Sequence, residues 1–272
     1  MDSSEKVGIY VDAANVSKNG GFGLRYEILR TFACRGGKIP ARLNVYQAYD
    51  AQRAETDATY REKNTRFSEV LRDFGYKVIE KPLTADNPEA EQDLLAKSSV
   101  IDVDMTIDIM RQAEMLDRIV LLTGKGAFAR LVATVQQNGC RVEVVGFDNI
   151  SPMLKKEADI YISGYLIPGL LPVESPYEWG NVGSRVRGVC YDFSHNDGYG
   201  FMRYLVKIND YLWVTDSRFN HSPYKTVFAH ISQFEDNFDT SFLPSRDLIF
   251  EFDLTESEKG LVAENIELIS AP

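Results

Sequence analysis

The sequence lacks the features of membrane proteins and of small disulfide-rich or zinc-binding proteins. No run of 18 consecutive apolar residues occurs in its 272 residues, so no segment is long enough for a transmembrane helix. Its three cysteines, Cys34, Cys140 and Cys190, lie far apart and form no C-x-x-C pair, so neither a disulfide framework nor a zinc ribbon is implied. The N-terminus leads directly into a strand pattern without a signal sequence. We therefore expect a soluble, cytoplasmic protein with no membrane partner.

An excess of basic residues and a phosphate-binding loop are also missing. The net charge of −10 argues against general electrostatic attachment to nucleic acid. The stretch RIVLLTGKGAF, residues 118–128, contains a Gly-Lys pair, but a P-loop needs a glycine in place of Ile119 and a Ser or Thr in place of Gly126. Any nucleic acid would therefore have to bind at a local basic region or at a metal site.

What the sequence does contain is a change of pattern near residue 170. Before it, short apolar runs such as VGIYVDAAN and RIVLLTG alternate with segments of helical period, which predicts a parallel α/β sheet with helices on both faces. A segment with three prolines and three glycines, PGLLPVESPYEWGNVGS, is interpreted as a linker. Short aromatic strands follow, as in a small all-β barrel. The predicted domains are residues 1–168 and 184–272, joined by 169–183.

Among the side chains that could hold a metal, Asp12 and Asn15 follow the first predicted strand. A predicted helix later in the chain adds Asp102, Asp104 and Asp108, with Glu91 and Asp93 shortly before it. Ligand crevices of open parallel sheets lie beyond the carboxyl ends of the strands. Clustered carboxylates there suit Mg²⁺ or Mn²⁺, which bind oxygen ligands. The spacing alone leaves another interpretation open, in which Asp102 caps a helix and Asp104 is solvated.

Three stretches, IYVDAANV, KSSVIDVDMTIDIM and VLLTGKGAFARLVATVQQNGCRVEVVGF, resemble in this order the NYN domain family, a PIN-like nuclease fold that includes the LabA-type bacterial proteins. The resemblance covers about residues 5–170, with Lys97 as a rough counterpart of the lysine in the family's helix motif. It implies metal-dependent RNA hydrolysis, with Mg²⁺ or Mn²⁺ held by Asp12, Asp102 and Asp108. It also implies that Asn15 orients the substrate or the ligands.

One departure from the family affects this site. The family pattern S-G-D-x-D-F is replaced by T-G-K-G-A-F over residues 123–128, so Lys125 and Ala127 stand where two carboxylates are usual. Lys125 is expected to weaken the cation site, or to join the catalytic site by binding substrate phosphate as a point charge. The remaining alternative is that it points into water. The departure brings catalysis into question more than RNA binding.

The C-terminal part resembles the cold-shock domain, an OB-type five-stranded barrel, from about Arg185 to Ile269. DGYGFM corresponds to the family motif K-G-F-G-F-I, and VFAHIS corresponds to V-F-V-H-F-S. Alternation predicts that Tyr199 and Phe201 share one face with Phe193 of the preceding strand, unless these rings form the barrel core. The resemblance implies that nucleic-acid bases stack on the ring residues Phe193, Tyr199, Phe201, Phe228 and His230. Arg203, a basic residue on the same predicted strand as Tyr199 and Phe201, is also expected to bind nucleic acid.

Two departures from the cold-shock pattern concern the proposed binding face. Asp192 replaces a tryptophan, which removes a stacking ring and adds a negative charge. The connection RYLVKINDYLWVTDSRFNHSPYKT is much longer than usual and offers Tyr211 and Trp213 as new contacts or as new core. Residues 185–225 nevertheless carry six basic against four acidic residues, a balance of +2. The predicted strands of the binding face are thus locally basic.

The sequence predicts a divalent-metal-dependent ribonuclease-type protein whose barrel captures single-stranded RNA, or single-stranded DNA. The main alternative is a catalytically impaired NYN protein that binds RNA as a regulatory module, because Lys125 and Ala127 replace the usual carboxylates. A third interpretation has the aromatic face of the barrel bind a protein partner. The sequence leaves open whether the protein is a homo-oligomer.

Overall fold

The computed structural model describes residues 5–83 and 94–271, which form two compact units. One unit contains the chain up to Phe22 together with Gly37–Ile162, and the other contains Gly23–Gly36 together with Ser163–Pro272. Each unit has its own cluster of buried hydrophobic residues. Within the described ranges, no helix is both long and apolar enough to cross a membrane.

The first unit is built on a six-stranded sheet. Its strands are β1 (Lys6–Asp12), β2 (Ile39–Asp50), β3 (Lys77–Leu83), β4 (Arg118–Leu122), β5 (Arg141–Gly146) and β6 (Ile160–Ser163). They are arranged in the order β3-β2-β1-β4-β5-β6, and the pairs β1–β2, β1–β4, β2–β3 and β4–β5 are parallel. Every residue of β1 after Lys6 is buried, as expected for a strand in a parallel sheet that is covered on both faces.

The helices alternate with these strands along the chain. They are α1 (Ala13–Lys18), α2 (Tyr26–Ala33), α3 (Ala51–Thr56), α4 (Ala58–Asp73), α5 (Leu94–Gln112), α6 (Ala129–Gln137) and α7 (Pro152–Glu157). In α5, the residues Ile101, Met105 and Ile109 recur every four positions and are buried in the core of the first unit. Asp102 and Asp108 flank this buried stripe and are half-buried.

The strand order reverses at β1, because β2 lies on one side of β1 and β4 lies on the other. Val11 pairs with Leu122, so the first residues after β1 and β4 emerge side by side at the same edge of the sheet. In open parallel sheets the ligand crevice lies at such a reversal point. The topology therefore places the residues after Asp12 and after Leu122 at one crevice.

The second unit is built on a closed five-stranded barrel. Its strands are β7 (Arg185–Ser194), β8 (Tyr199–Leu205), β9 (Tyr224–His230), β10 (Ser245–Ser257) and β11 (Gly260–Ser270). They close in the order β10-β11-β9-β8-β7, and β9 pairs with β11 in parallel while the other pairs are antiparallel. This is the arrangement of an OB-like barrel, so the predicted parallel α/β sheet followed by a small β-barrel is confirmed.

A bulge in β7 decides which of its aromatic residues face the core. The register between β7 and β8 shifts between Cys190 and Asp192, so Cys190 and Phe193 both face inward although they are three positions apart. Phe193 is only 7% exposed and packs edge-on against Phe234, with ring centroids 6.2 Å apart. The prediction that Phe193 shares the outer face with the β8 aromatics is therefore wrong, because simple alternation ignores the extra residue of the bulge.

The second unit also includes a segment from much earlier in the chain. Gly23–Gly36 contains α2, whose residues Leu29 and Phe32 are fully buried. The Arg35 guanidinium lies over the Phe32 ring, 4.8 Å from its centroid, and 4.0 Å from Asp210 Oδ1. The second unit is thus discontinuous in sequence.

Candidate functional site

The crevice at the ends of β1 and β4 contains a lysine between two aspartates. The Lys125 Nζ atom lies 2.7 Å from Asp12 Oδ2 and 2.6 Å from Asp102 Oδ1. The first contact is an ion pair, and the second is also a hydrogen bond that the ammonium donates. Asp12 is only 1% exposed, and a carboxylate buried this deeply is ionised only with a cation nearby. Lys125 supplies that cation from within the chain.

Burial and charge act in opposite directions on this group. Burial raises the pKa of Asp102, and the hydrogen bond and charge of Lys125 oppose that rise. Burial alone would lower the pKa of Lys125, but Asp12 and Asp102 more than offset this and hold it above its ordinary value. Lys125 is therefore protonated at neutral pH. The three side chains carry a net charge of −1 when both carboxylates are ionised, so the crevice does not attract phosphate strongly.

The loop that carries Lys125 is fixed by the residues after β1. Asp12 caps α1, because its Oδ1 accepts a hydrogen bond of 3.0 Å from the backbone N–H of Asn15. The side-chain oxygen of Asn15 accepts a hydrogen bond of 2.7 Å from the backbone N–H of Gly124. The Gly124 carbonyl accepts another, of 2.9 Å, from Ser151. Asn15 therefore links β1 to the Lys125 loop.

Asp108 makes a different set of contacts on α5. Its Oδ2 accepts a hydrogen bond of 2.8 Å from the Tyr46 hydroxyl, and Asn44 donates to the same hydroxyl at 3.2 Å. Burial raises the pKa of Tyr46, so its phenol remains protonated and able to donate. Asp108 lies six residues after Asp102, which is about 9 Å along a helix. Asp108 thus binds Tyr46, whereas Asp102 binds Lys125.

The remaining acidic candidates do not join this group in the described part of the chain. Asp104 forms an ion pair of 2.6 Å with Lys81, and both side chains are partly exposed. Glu91 and Asp93 lie outside the described residues, as does the side chain of Lys97.

The crevice can be tested against the divalent ion that the nuclease fold implies. In residues 5–83 and 94–271, no group of three or more His, Cys, Asp or Glu residues is arranged to hold a metal. Mg²⁺ and Mn²⁺ need several oxygen ligands, and an ion shared by Asp12 and Asp102 would have to lie where the Lys125 ammonium lies. The residues present do not fit a divalent ion while Lys125 occupies this position.

A second candidate site is the outer face of β8 and β9. Phe201 pairs with Phe228 in the β8–β9 register, and Tyr199 pairs with His230. The ring centroids of Tyr199 and Phe228 are 5.5 Å apart, and that of Phe201 lies 6.2 Å from Phe228 and 6.3 Å from Tyr199. We call Tyr199, Phe201 and Phe228 the aromatic platform. The structure brings these three predicted stacking residues together, with His230 exposed at the edge.

Gly200 allows β8 to approach the bulge of β7. It lies between two platform residues and faces the barrel interior. A β-carbon at this position would collide with the carbonyl oxygen of Asp192 and with the Phe193 ring. The glycine of the D-G-Y-G-F motif therefore has a packing role, and the platform depends on it.

Arg203 continues the outward row of β8 beyond Phe201. Its guanidinium carbon lies 5.2 Å from the centroid of the Tyr191 ring and 5.3 Å from that of Tyr224. Burial lowers the pKa of Arg203, and the nearby charge of Arg246 lowers it further. Among the described carboxylates, none forms an ion pair with Arg203. The sequence indicated Arg203 but missed its aromatic and basic neighbours, because the β7 bulge and the barrel closure bring them together.

Part of the basic charge counted in the sequence is neutralised within the barrel. Arg185 forms ion pairs with three carboxylates of β10 and β11, namely Glu251, Asp253 and Glu267. Arg187 also binds Glu251, and Arg218 binds Asp216. Of the six basic residues counted between 185 and 225, those without an ion pair among the described residues are Arg203, Lys207 and Lys225.

Comparison with known proteins finds similarity to one family over residues 6–170. The family model described as the NYN domain matches residues 6–170, which is more than half of the chain. The protein named low amplitude and bright protein LabA, from Synechococcus elongatus, is 26% identical over 162 residues, which are 58% of this chain and 82% of that protein. A solved structure of a protein of unknown function from Vibrio parahaemolyticus is 24% identical, with a TM-score of 0.49, over 60% of this chain and 94% of that chain.

Proposed function

Because the chain belongs to the NYN domain family, which is nuclease-like and RNA-related, we propose that it binds single-stranded RNA on the barrel without metal-dependent hydrolysis. Binding is assigned to the aromatic platform and to Arg203 beside it. Single-stranded DNA is a second ligand of the same chemistry, since stacking tolerates either sugar. The role is that of an RNA-binding or regulatory module.

The observation that carries the binding function is the aromatic platform itself. Three rings lie in mutual contact on adjacent strands while the residues between them fill the core. Tyr199 is 37% exposed, and burying such rings against nucleobases removes apolar surface from water. Stacking of one base on an aromatic side chain contributes about 1 to 3 kcal/mol. Phe193 does not contribute, because it is buried inside the barrel.

The crevice supports the absence of metal-dependent hydrolysis. A bound divalent ion in a nuclease site supplies an activated water and neutralises charge that develops on phosphate oxygens. In this chain the two carboxylates at the crevice are already paired with Lys125, whose loop is held by Asn15. An ammonium cannot coordinate and activate a water as a metal ion does. Asp12, Asp102 and Lys125 are therefore assigned a structural role, and Asn15 is assigned the role of positioning the Lys125 loop.

The proposed function is tested with the full chain and fluorescently labelled oligouridine. We expect saturable binding in the presence of EDTA, measured by anisotropy, and weaker binding to a duplex RNA whose bases are already stacked and paired. Gel electrophoresis after incubation with Mn²⁺ should show intact RNA. Cleavage that requires Mn²⁺ and disappears in the Asp12→Asn variant would establish a metal-dependent ribonuclease instead. Equal affinity for single strands and duplexes would argue against base stacking.

Asp192 offers a test of the binding face by gain of function. It is exposed and pairs in register with Phe201, so its carboxylate stands beside the proposed path of the RNA phosphates. Asp192→Asn should raise the affinity for oligouridine by about 2- to 5-fold at low salt, because a repulsive charge is removed. The matched variant Asp236→Asn, an exposed acid outside β7 to β9, should leave the affinity unchanged. Equal responses of the two variants would indicate only a general effect of net charge.

A further inference from the structure

The connection between β8 and β9, residues 206–223, is a folded insertion. Leu212 is 4% exposed, and its carbonyl accepts a hydrogen bond of 3.0 Å from the Tyr224 hydroxyl. The Ser222 hydroxyl donates to the Val214 carbonyl at 2.7 Å. These bonds join the two halves of the insertion to each other and to β9. The insertion is therefore held in a defined shape.

This shape keeps three rings together at the surface. The Tyr211 ring centroid lies 5.8 Å from that of Trp213 and 5.1 Å from that of His221. Trp213 is 58% exposed and Tyr211 is 42% exposed. Leu212, which lies between them in sequence, is the residue that packs inward. The two rings therefore lie on the surface and do not extend the core. Large exposed rings held in fixed positions have the form of a stacking site.

The insertion borders the row of β8 residues that begins with the platform. The Arg203 guanidinium donates to the Thr215 carbonyl at 3.4 Å. Ser217 and Thr226, the β9 residue opposite Arg203, have their hydroxyl oxygens 2.9 Å apart. Arg203 is therefore the next outward residue after Phe201 on β8 and also a neighbour of the insertion.

The charge at this junction suits a phosphodiester backbone. Arg203 has no carboxylate partner among the described residues, and Arg246 lies near enough to lower its pKa. An arginine without an acidic partner attracts an anion. A nucleic-acid strand is a ligand that combines this anion with flat rings on both sides. A protein partner would need acidic and aromatic groups at the same spacing.

We propose that the insertion is a second base-stacking site, where Trp213 and Tyr211 receive bases of the RNA strand that the aromatic platform binds. Arg203 contacts the phosphate that connects the two groups of bases. This inference rests on the proposed function and extends it, because it makes the binding site longer than the face of the barrel alone. Its consequence is a dependence on strand length.

The test uses Trp213 as a fluorescent reporter in the full chain. The protein has only two tryptophans, and the other, Trp179, donates its indole N–H to the Leu205 carbonyl at 2.7 Å. In a Trp179→Phe variant, oligouridine of about 4 nucleotides should bind without changing Trp213 emission, whereas about 12 nucleotides should quench it. Trp213→Ala in the unmodified background should weaken binding of the longer strand by about 5- to 100-fold and leave the short strand unaffected.

A matched control lies in the same insertion. Phe219 is 61% exposed and forms no ring contact among the described residues, so Phe219→Ala should bind both strands normally. Circular dichroism should show that each variant remains folded. If the longer strand binds without quenching and Trp213→Ala binds it normally, the second site is overturned while the proposed function stands. If no strand binds at all, both are overturned.

Discussion

Replacing Lys125 by methionine is expected to lower the free energy of unfolding by about 3 kcal/mol in the presence of EDTA. The substitution leaves Asp12, which is 1% exposed, and Asp102 facing each other without a cation. Removing one partner of a buried ion pair costs about 3 to 5 kcal/mol, and the partial exposure of Asp102 places the effect at the lower end. Urea denaturation followed by far-UV circular dichroism measures the loss.

The same variant is expected to respond to Mn²⁺ more strongly than the natural protein does. With the ammonium removed, the two carboxylates can share a divalent ion, and an ion at 100 times its dissociation constant adds about 2.7 kcal/mol. A further Asp12→Asn substitution in the Lys125→Met background should abolish the gain. Restoring the usual family carboxylates with Lys125→Asp and Ala127→Asp should produce the largest Mn²⁺ response, because it adds oxygen ligands.

Two controls separate the crevice from general effects of lysine loss. Lys125→Arg keeps a cation and should retain most of the stability. Lys81→Met breaks another Lys–Asp contact of 2.6 Å, to Asp104, but both of those side chains are more exposed, so the loss should be about 0 to 1 kcal/mol. If Lys125→Met and Lys81→Met lose the same stability, Lys125 is not the internal cation of the crevice. Equal Mn²⁺ responses of the natural protein and Lys125→Met would lead to the same conclusion.

Removing two platform rings is expected to produce the largest loss of RNA binding. Phe201→Ala should weaken oligouridine binding by about 1 to 3 kcal/mol, which is the usual effect of losing one stacked base. The double variant with Phe228→Ala should lose more, but less than the sum of the single losses, because the two rings contact each other at 6.2 Å. Anisotropy titrations in EDTA measure each affinity.

The control for platform loss is an exposed phenylalanine on another part of the barrel unit. Phe242 is 67% exposed and lies in the short 3₁₀ turn Thr240–Phe242 outside β8 and β9. Phe242→Ala should bind as tightly as the natural protein. If folded Phe201→Ala and Phe228→Ala proteins also bind normally, the platform does not stack bases, and its rings are free for a protein partner.

The position of the crevice could be predicted from the sequence, because it depends only on where β1 and β4 end and on the two strands being parallel neighbours. Residues that follow β1 and β4 in sequence must emerge at one sheet edge when the strands are parallel neighbours, which brought Asp12 and Lys125 together. Helical spacing placed Asp102 and Asp108 on α5 but could not identify their partners. Tyr46 lies on β2, and its hydrogen bond to Asp108 depends on the packing of α5 against the sheet.

Alternation was reliable in β8 and failed in β7. Tyr199 and Phe201 face outward as predicted, because β8 pairs with β9 without a shift in register. Phe193 turned inward because one extra residue of β7 is accommodated as a bulge, and no local pattern in the sequence marked it. The ion pairs of Arg185 and Arg187 could not be predicted either, since their carboxylate partners come from the acidic strands near the C-terminus.

The discontinuity of the second unit has a consequence for how the protein is made. Gly23–Gly36 leaves the ribosome early, but the rest of its unit begins only at Ser163, more than 100 residues later. At about 5 to 20 residues per second, the buried side chains of α2 wait on the order of 10 s for their partners. A gene truncated before Ser163 would leave Gly23–Gly36 without the rest of its unit.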